Sequence, residues 1–372
     1  MRSIHTGIAL FAAEELRLAA LPLFEAGLIE AVEWTFDHGW TVAPPDWVTA
    51  LLDAYAAEDR LYGHGLRLSP NTARFDDSST AWLAELARDL ANSGRAYRHV
   101  TEHWGFSRTR HLARGAPMPL PSSEAVVVAT DRAMHALAST AGTTVGLENL
   151  ALALSDDDVD AQPAMLSRVL DACNGVLLLD LHNLWCQAEN YGRDPRVLAS
   201  QYPLARVRQL HVAGGTWSDS AYGAPFRRDT HDALVPDDVL ALLAWIIPRC
   251  PALEAAILER LPGALSDEPA RAAWRDEWRA LDHIVRAAAR EPVIAAPTVT
   301  RELLDTTATL DDLATYQDTL SVALLGGGDP REIHAELLAD PELTKFHAQI
   351  ARWNLRALDV ALALTAKWST RV

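Results

Sequence analysis

Gly175-Val176-Leu177-Leu178-Leu179-Asp180-Leu181-His182-Asn183-Leu184-Trp185 is the stretch from which the fold can be argued. The apolar run Val176–Leu179 is too short for a helix of its own and suits a strand buried on both faces, as in a parallel sheet. It stops at Asp180, with His182 and Asn183 close behind. A carboxylate at the end of a buried strand is costly unless something positive or donating meets it. One solution is hydrogen bonding to nearby backbone N–H groups. The other is a metal ion, and the rest of the chain bears on the choice because the pattern recurs.

Outward from this run, seven further stretches read as strands: 3–10, 28–34, 60–68, 96–102, 143–148, 207–211 and 255–259. With 175–180 they make eight. Amphipathic stretches lie between them, including 45–57, 80–93, 122–140, 161–173 and 237–250. Asp237 and Asp238 follow Pro236, as acids do at a helix start. Eight such units in residues 1–290 predict a (β/α)8 TIM barrel rather than a doubly wound sheet. No Gly-x-Gly-x-x-Gly follows a strand, and Gly326-Gly327-Gly328 reads as a helix stop. Pro292 and Pro297 bound a linker. Residues 298–372 then read as an all-helical C-terminal extension of about 75 residues. Its helices are expected over 310–325, 330–338 and 341–368, with Trp353 and Trp368 packing on the barrel or on each other.

The net charge is −17 and no long basic run is present, which argues against nucleic acid or an anionic membrane as partner. The three cysteines, Cys173, Cys186 and Cys250, have no metal or redox spacing and are expected to be reduced, in a cytoplasmic protein. No signal peptide pattern and no apolar run of 18 residues is found, so no membrane span is expected.

In a TIM barrel the chemistry sits at the C-terminal strand ends. The third to eighth strands end in or near His64, Glu102-His103, Glu148-Asn149, Asp180-Leu181-His182-Asn183, His211 and Glu259-Arg260, and the loop after the seventh carries Asp229-Thr230-His231. A single histidine at such a place is usually a satisfied core or rim residue. Six consecutive strands of this kind point to one basin. The candidate ligands His64, His103, Glu148, Asp180, His211, Asp229, His231 and Glu259 are imidazoles and carboxylates without a thiolate, a set that suits iron, manganese or zinc. A zinc site takes about three or four protein ligands, so eight imply two or three ions with a bridging carboxylate such as Glu148 or Asp180. Without cations these carboxylates would repel one another and raise each other's pKa.

The motifs His64-Gly65-Leu66-Arg67-Leu68-Ser69, Thr101-Glu102-His103, Leu147-Glu148-Asn149, Leu179-Asp180-Leu181-His182-Asn183-Leu184, Leu210-His211-Val212-Ala213-Gly214, Asp229-Thr230-His231 and Leu258-Glu259-Arg260 stand in an order that resembles the multinuclear non-heme iron-dependent oxidases, formerly domain of unknown function 692. The resemblance runs from about His5 to about Leu265. It implies a TIM barrel holding two or three irons in mixed valence. It also implies dioxygen as co-substrate and a ribosomally synthesised precursor peptide, often modified at cysteine, whose leader a separate partner protein usually presents. Carried over by motif, His64, His103 and Glu148 hold one iron. Glu148 bridges to a second held by Asp180, His211 and Glu259. Asp229 and His231, with His182 or Asn183, hold the third. Catalysis falls to the cluster of Glu148, Asp180 and His211. The chain departs from the family in having His182-Asn183 for the usual Asn-Asn and Leu261 where many members carry Asp. The alternative is a divalent-metal isomerase or hydrolase on a similar barrel, of the xylose isomerase and endonuclease IV group.

Overall fold

A computed structural model describes residues 4–288 and 307–371. The expected linker around Pro292–Pro297, and the start of the extension up to residue 306, lie outside the described residues. Among the described residues are twelve strands: β1 (His5–Leu10), β2 (Ala31–Trp34), β3 (Leu61–Gly65), β4 (His99–His103), β5 (Leu112–Arg114), β6 (Thr144–Glu148), β7 (Val176–Asp180), β8 (Val207–Val212), β9 (Trp217–Ser220), β10 (Gly223–Arg227), β11 (Ala255–Leu258) and β12 (Thr370–Arg371). Eight of them close a parallel barrel in the order β1-β2-β3-β4-β6-β7-β8-β11, with β11 pairing back to β1. The expected (β/α)8 fold is the observed one.

Every barrel strand is followed by helix that packs its apolar stripe on the sheet. The main core therefore lies between strands and helices, and takes in Leu177, Leu179, Leu210, Val212, Trp274 and Trp278. Strand alternation turns the other residues inward. A small apolar cluster of Ala9, Ala31, Tyr62, Ala255 and Ile257 fills part of the interior. Polar residues, among them His64, Glu148, Asp180 and His211, occupy inward positions toward the C-terminal ends.

β3 stops at Gly65, short of the expected 68, while β7 ends at Asp180 as expected and passes at once into the helix Leu181–Tyr191. His182 and Asn183 thus sit in a first helical turn rather than on a strand. Asp180 is the N-cap, its Oδ1 accepting the Asn183 N–H at 2.6 Å.

The described part of the extension holds the helices Leu310–Gly326, Pro330–Ala339 and Leu355–Trp368. It is not wholly helical, because β12 pairs antiparallel with β5. It grips the βα loops: Gln317 donates to Asn71 O and accepts from Ala73 N, both at 2.8 Å, Asn354 N–H donates to Leu154 O at 2.6 Å, and Ser220 Oγ donates to Asp359 Oδ2 at 2.8 Å. The extension therefore sits over the C-terminal face of the barrel.

Candidate metal centre

Register brings the polar strand ends side by side. His103 is the Cα partner of Glu148, Asp180 that of His211, and His64 that of Thr101. Around Glu148 the rings of His64 and His103 stand with centroids 4.7 Å apart, and the Nε2 atoms of both lie 3.3 Å from Oε2. The other oxygen, Oε1, lies 3.4 Å from His211 Nδ1, which also faces Glu259 Oε2 at 3.2 Å and Asp180 Oδ2 at 3.7 Å. Beyond Glu259, its Oε1 lies 3.2 Å from His231 Nδ1, and His231 Nε2 lies 2.6 Å from Asp229 Oδ1. All eight candidates therefore face one basin.

Neighbouring groups fix these rings. The Thr101 hydroxyl donates to Gly63 O at 3.4 Å, so it accepts from His64 Nδ1–H at 2.9 Å and leaves Nε2 for the basin. His211 Nε2 meets Glu33 Oε2 at 2.9 Å, which turns Nδ1 to the carboxylates. Behind Glu33, Gln209 donates to the same carboxylate and its Oε1 meets His99 Nε2 at 2.7 Å. Glu33 was not among the sequence candidates. It stands next to the end of the second strand as an acid between the apolar Val32 and Trp34, a weaker form of the signal that singles out Asp180. Glu102, next to His103, points away from the basin and accepts Leu68 N–H at 3.3 Å. Gly65 makes room for it, since a Cβ there would lie 2.2 Å from Glu102 Oε1.

His182 and Asn183 take different places. The His182 ring is fully buried behind Asp229, with Nδ1 3.1 Å from Oδ1. Gly215 lets the loop lie this close, as a Cβ would come within 2.8 Å of the ring and 2.3 Å of Arg228 O. Asn183 reaches Glu148 Oε1 at 3.5 Å and Asn149 O at 3.0 Å. Three groups have one ligand atom from each residue within 4.8 Å of the others: His64, His103 and Glu148; Glu148, Asp180 and His211; Asp180, Asp229 and His231. Glu148 and Asp180 each belong to two. In the third group Asp180 stands with Asp229 and His231, and His182 meets Asp229 from behind. His231 adopts φ +52°, unusual for a side chain of its size, and this aims its ring into the basin.

Burial penalises charge throughout, and the opposed groups answer it. On His64 the Glu148 and Glu33 carboxylates outweigh burial and hold the pKa up at about 9. Burial likewise opposes charge on His211 and His231, yet their carboxylate neighbours hold both well above the ordinary value. Asp180 is pushed well up, by burial first and then by Asp229 and Glu148. Against burial, the surrounding imidazoles hold Glu148 and Glu259 low and bring Asp229 to about 2.

The donor set fits divalent metal ions. Asp180 Oδ2 and Asn183 Oδ1 are buried without a hydrogen-bond partner. Buried polar atoms are normally paired. Asp180 unites the two possibilities read from its sequence: one oxygen caps a helix and the other is an open ligand atom. The basin opens into a cavity of about 430 Å³. Its walls include Leu150, Leu152 and Phe226 from the barrel and Val360, Leu364, Lys367 and Trp368 from the extension. Trp353 packs against Tyr316 and His334 inside the extension. Trp368, expected to pack away from any site, stands half-exposed on the cavity wall because β12 pins the end of its helix to β5.

A closed barrel with imidazoles and carboxylates facing one basin at its C-terminal strand ends defines a (β/α)8 protein with a candidate multinuclear metal centre. The chain belongs to the family described as RiPP precursor modification enzyme MbnB/TglH/ChrH, whose model matches residues 38–267. It is similar to a UPF0276 protein of Rhizobium meliloti (strain 1021), 27% identical over 152 residues that cover 41% of this chain and 49% of the relative. A UPF0276 protein of Streptomyces avermitilis is 26% identical over 227 residues, covering 59% and 45%. The chain thus spans about half the length of these curated relatives. Among solved structures, an IOLI protein with a bound zinc atom superposes with a TM-score of 0.47 at 12% identity over 77% of this chain and all of that one. No helix among the described residues is long and apolar enough to cross a membrane.

Proposed function

We propose that the protein is a cytoplasmic oxidase that uses two or three iron ions in mixed valence and dioxygen to modify a ribosomally made precursor peptide at cysteine, with a partner protein presenting the leader. His64, His103 and Glu148 would hold one ion. Glu148, Asp180, His211 and Glu259 would hold the second, and Asp229 and His231, with Asp180, His182 or Asn183, the third. The observation that carries this reading is the pair of shared carboxylates, Glu148 and Asp180, each standing between two groups of ligand atoms. Family membership supports the peptide substrate.

Iron bound here would supply dioxygen activation and a positive charge that favours the thiolate of a substrate cysteine. Thr101 and Glu33 hold the rings of His64 and His211 in place, and His182 holds Asp229. The apolar wall of Leu150, Leu152 and Phe226 excludes water from the reacting residue. In this reading residues 1–290 form the catalytic unit and 298–372 an appended unit that walls its cavity.

The test is anaerobic loading with ferrous iron, iron counted per chain, and mass spectrometry of peptides encoded beside the gene, with the partner supplied, before and after admission of dioxygen. A dioxygen-dependent mass change that needs iron is expected. If the iron-loaded protein modifies none of them, the isomerase or hydrolase alternative takes precedence.

A further inference from the structure

The cavity wall is more basic than a chain of net charge −17 leads one to expect. Arg114, Arg227, Arg228 and Lys367 all line it, and none of them forms an ion pair with a described carboxylate. Arg227 is held rigidly. Its guanidinium lies 3.9 Å from the Trp217 ring centre and 4.4 Å from that of Trp185, and Nη1 donates to Gly215 O at 3.1 Å. Arg228 Nη1 donates to Ser218 Oγ at 2.7 Å. The Nε atoms of both arginines are buried without a hydrogen-bond partner. Asp232 is the carboxylate whose field reaches Arg228, and it too lines the cavity.

The extension completes the set. Lys367 lies exposed on the helix Leu355–Trp368, and the backbone of Arg114, itself exposed, is paired with Thr370 of β12. Two cations thus come from the β9–β10 region and two from the side that the extension builds. A partly desolvated guanidinium without a counter-ion is costly, and a carboxylate that arrives with the substrate relieves that cost through charge-assisted hydrogen bonds.

We propose that Arg114, Arg227, Arg228 and Lys367 form a carboxylate-binding subsite, so that the substrate is a peptide carrying a carboxylate next to the residue placed over the metal ligands. The proposal rests on the peptide-substrate reading above and adds the chemical class of the neighbouring group. That carboxylate is an acidic side chain or the peptide's own terminal carboxyl. A phosphate is not part of an unmodified precursor.

Calorimetric binding to the iron-loaded full chain without dioxygen tests this. The probes are an acetylated, amidated Gly-Cys-Asp-Gly, its Asn counterpart, and an acetylated Gly-Gly-Cys with a free terminal carboxylate. At least one acidic probe should bind about tenfold more tightly than the Asn peptide, and the preference should shrink as salt is raised. Which acidic probe wins identifies the source of the carboxylate. Lys367→Met, at an exposed position that folding does not need, should reduce the preference about threefold, and Arg228→Met about tenfold, with affinity for the Asn peptide unchanged. Equal affinity for all three probes, saturable binding by none at millimolar concentration, or a loss that falls equally on the Asn peptide overturns the subsite. Because no turnover is read, acid-selective binding without any dioxygen-dependent mass change would sink the oxidase reading and leave the subsite standing. Turnover without acid preference would do the reverse.

Discussion

The barrel carries a charged cluster at each end, and the two are built differently. At the N-terminal end, Glu254 meets Arg98 at 2.9 and 3.0 Å and Arg208 at 2.8 Å, while Arg98 also pairs with Asp59. Each carboxylate there faces a guanidinium, a permanent cation. At the C-terminal end, Glu148, Asp180, Asp229 and Glu259 face imidazoles and no guanidinium, and Asp180 Oδ2 lacks a hydrogen-bond partner. A cluster neutralised by arginine is complete as it folds. A cluster of acids with histidines can give up its protons and take cations in their place. Counting permanent positive charges therefore separates a structural site from a chemical one.

The largest expected effect breaks the upper cluster. Glu148→Gln keeps the shape and removes the charge shared by two ligand groups, so turnover should fall by about 100-fold or more with matching loss of bound iron. Circular dichroism should show the barrel intact. Full iron and full turnover in this variant would remove Glu148 from the centre.

Breaking the lower cluster should move stability alone. Glu254→Ala leaves Arg98 and Arg208 without their shared acid and should cost about 2 kcal/mol in urea unfolding, discounted for the partial exposure of the arginines. Iron per chain should stay at the wild-type value. If iron is lost as well, the two ends are coupled and the distinction fails.

Glu33 lies between the ends and sharpens the comparison. Glu33→Gln still reaches His211 Nε2 but no longer as an anion, so iron affinity should weaken by about tenfold, read by competition with a chelator. An unchanged affinity would make Glu33 a packing residue.

The smallest effect is in acid. Burial holds His99 neutral and lowers its pKa to about 4. Its unfolded value is higher, so the unfolded chain binds the proton first. The stability it contributes is present above the unfolded pKa and is lost as pH falls through the window toward about 4. Metal-free protein should lose about 1 kcal/mol at about pH 5.5 through this residue, and His99→Gln should flatten that slope. In the basic direction His64 works with the opposite sign. Its pKa of about 9 makes its contribution complete below the ordinary value and lost as pH rises through 9.

How far the sequence could be read follows from which forces are local. The barrel was legible because each strand is a short apolar run between amphipathic helices. Six of the eight ligand candidates were legible because each is a polar residue at or near the stop of such a run, and Asp229 and His231 because they lie in the loop that follows one. Glu33 is harder to see, because Trp34 continues the apolar run past it. The role of His182 was less accessible, since it depends on a helix beginning immediately after Asp180 and on a loop brought onto its ring at Gly215. The part the extension plays could not be read, because it rests on pairings such as Gln317 with Ala73 and Asn71, separated by more than 240 residues and carrying no periodicity.

The helix Leu355–Trp368 touches the cavity through Val360, Leu364 and Lys367, spaced so that they form one stripe. It lies outside the closed ring of barrel hydrogen bonds, so changes along that stripe leave strand register and ligand geometry alone. Mutation can therefore explore new substrates there while the demanding residues at the strand ends stay fixed. The wall is the part of this protein best placed to change without disturbing the barrel, and the first place to randomise when a different ligand is wanted.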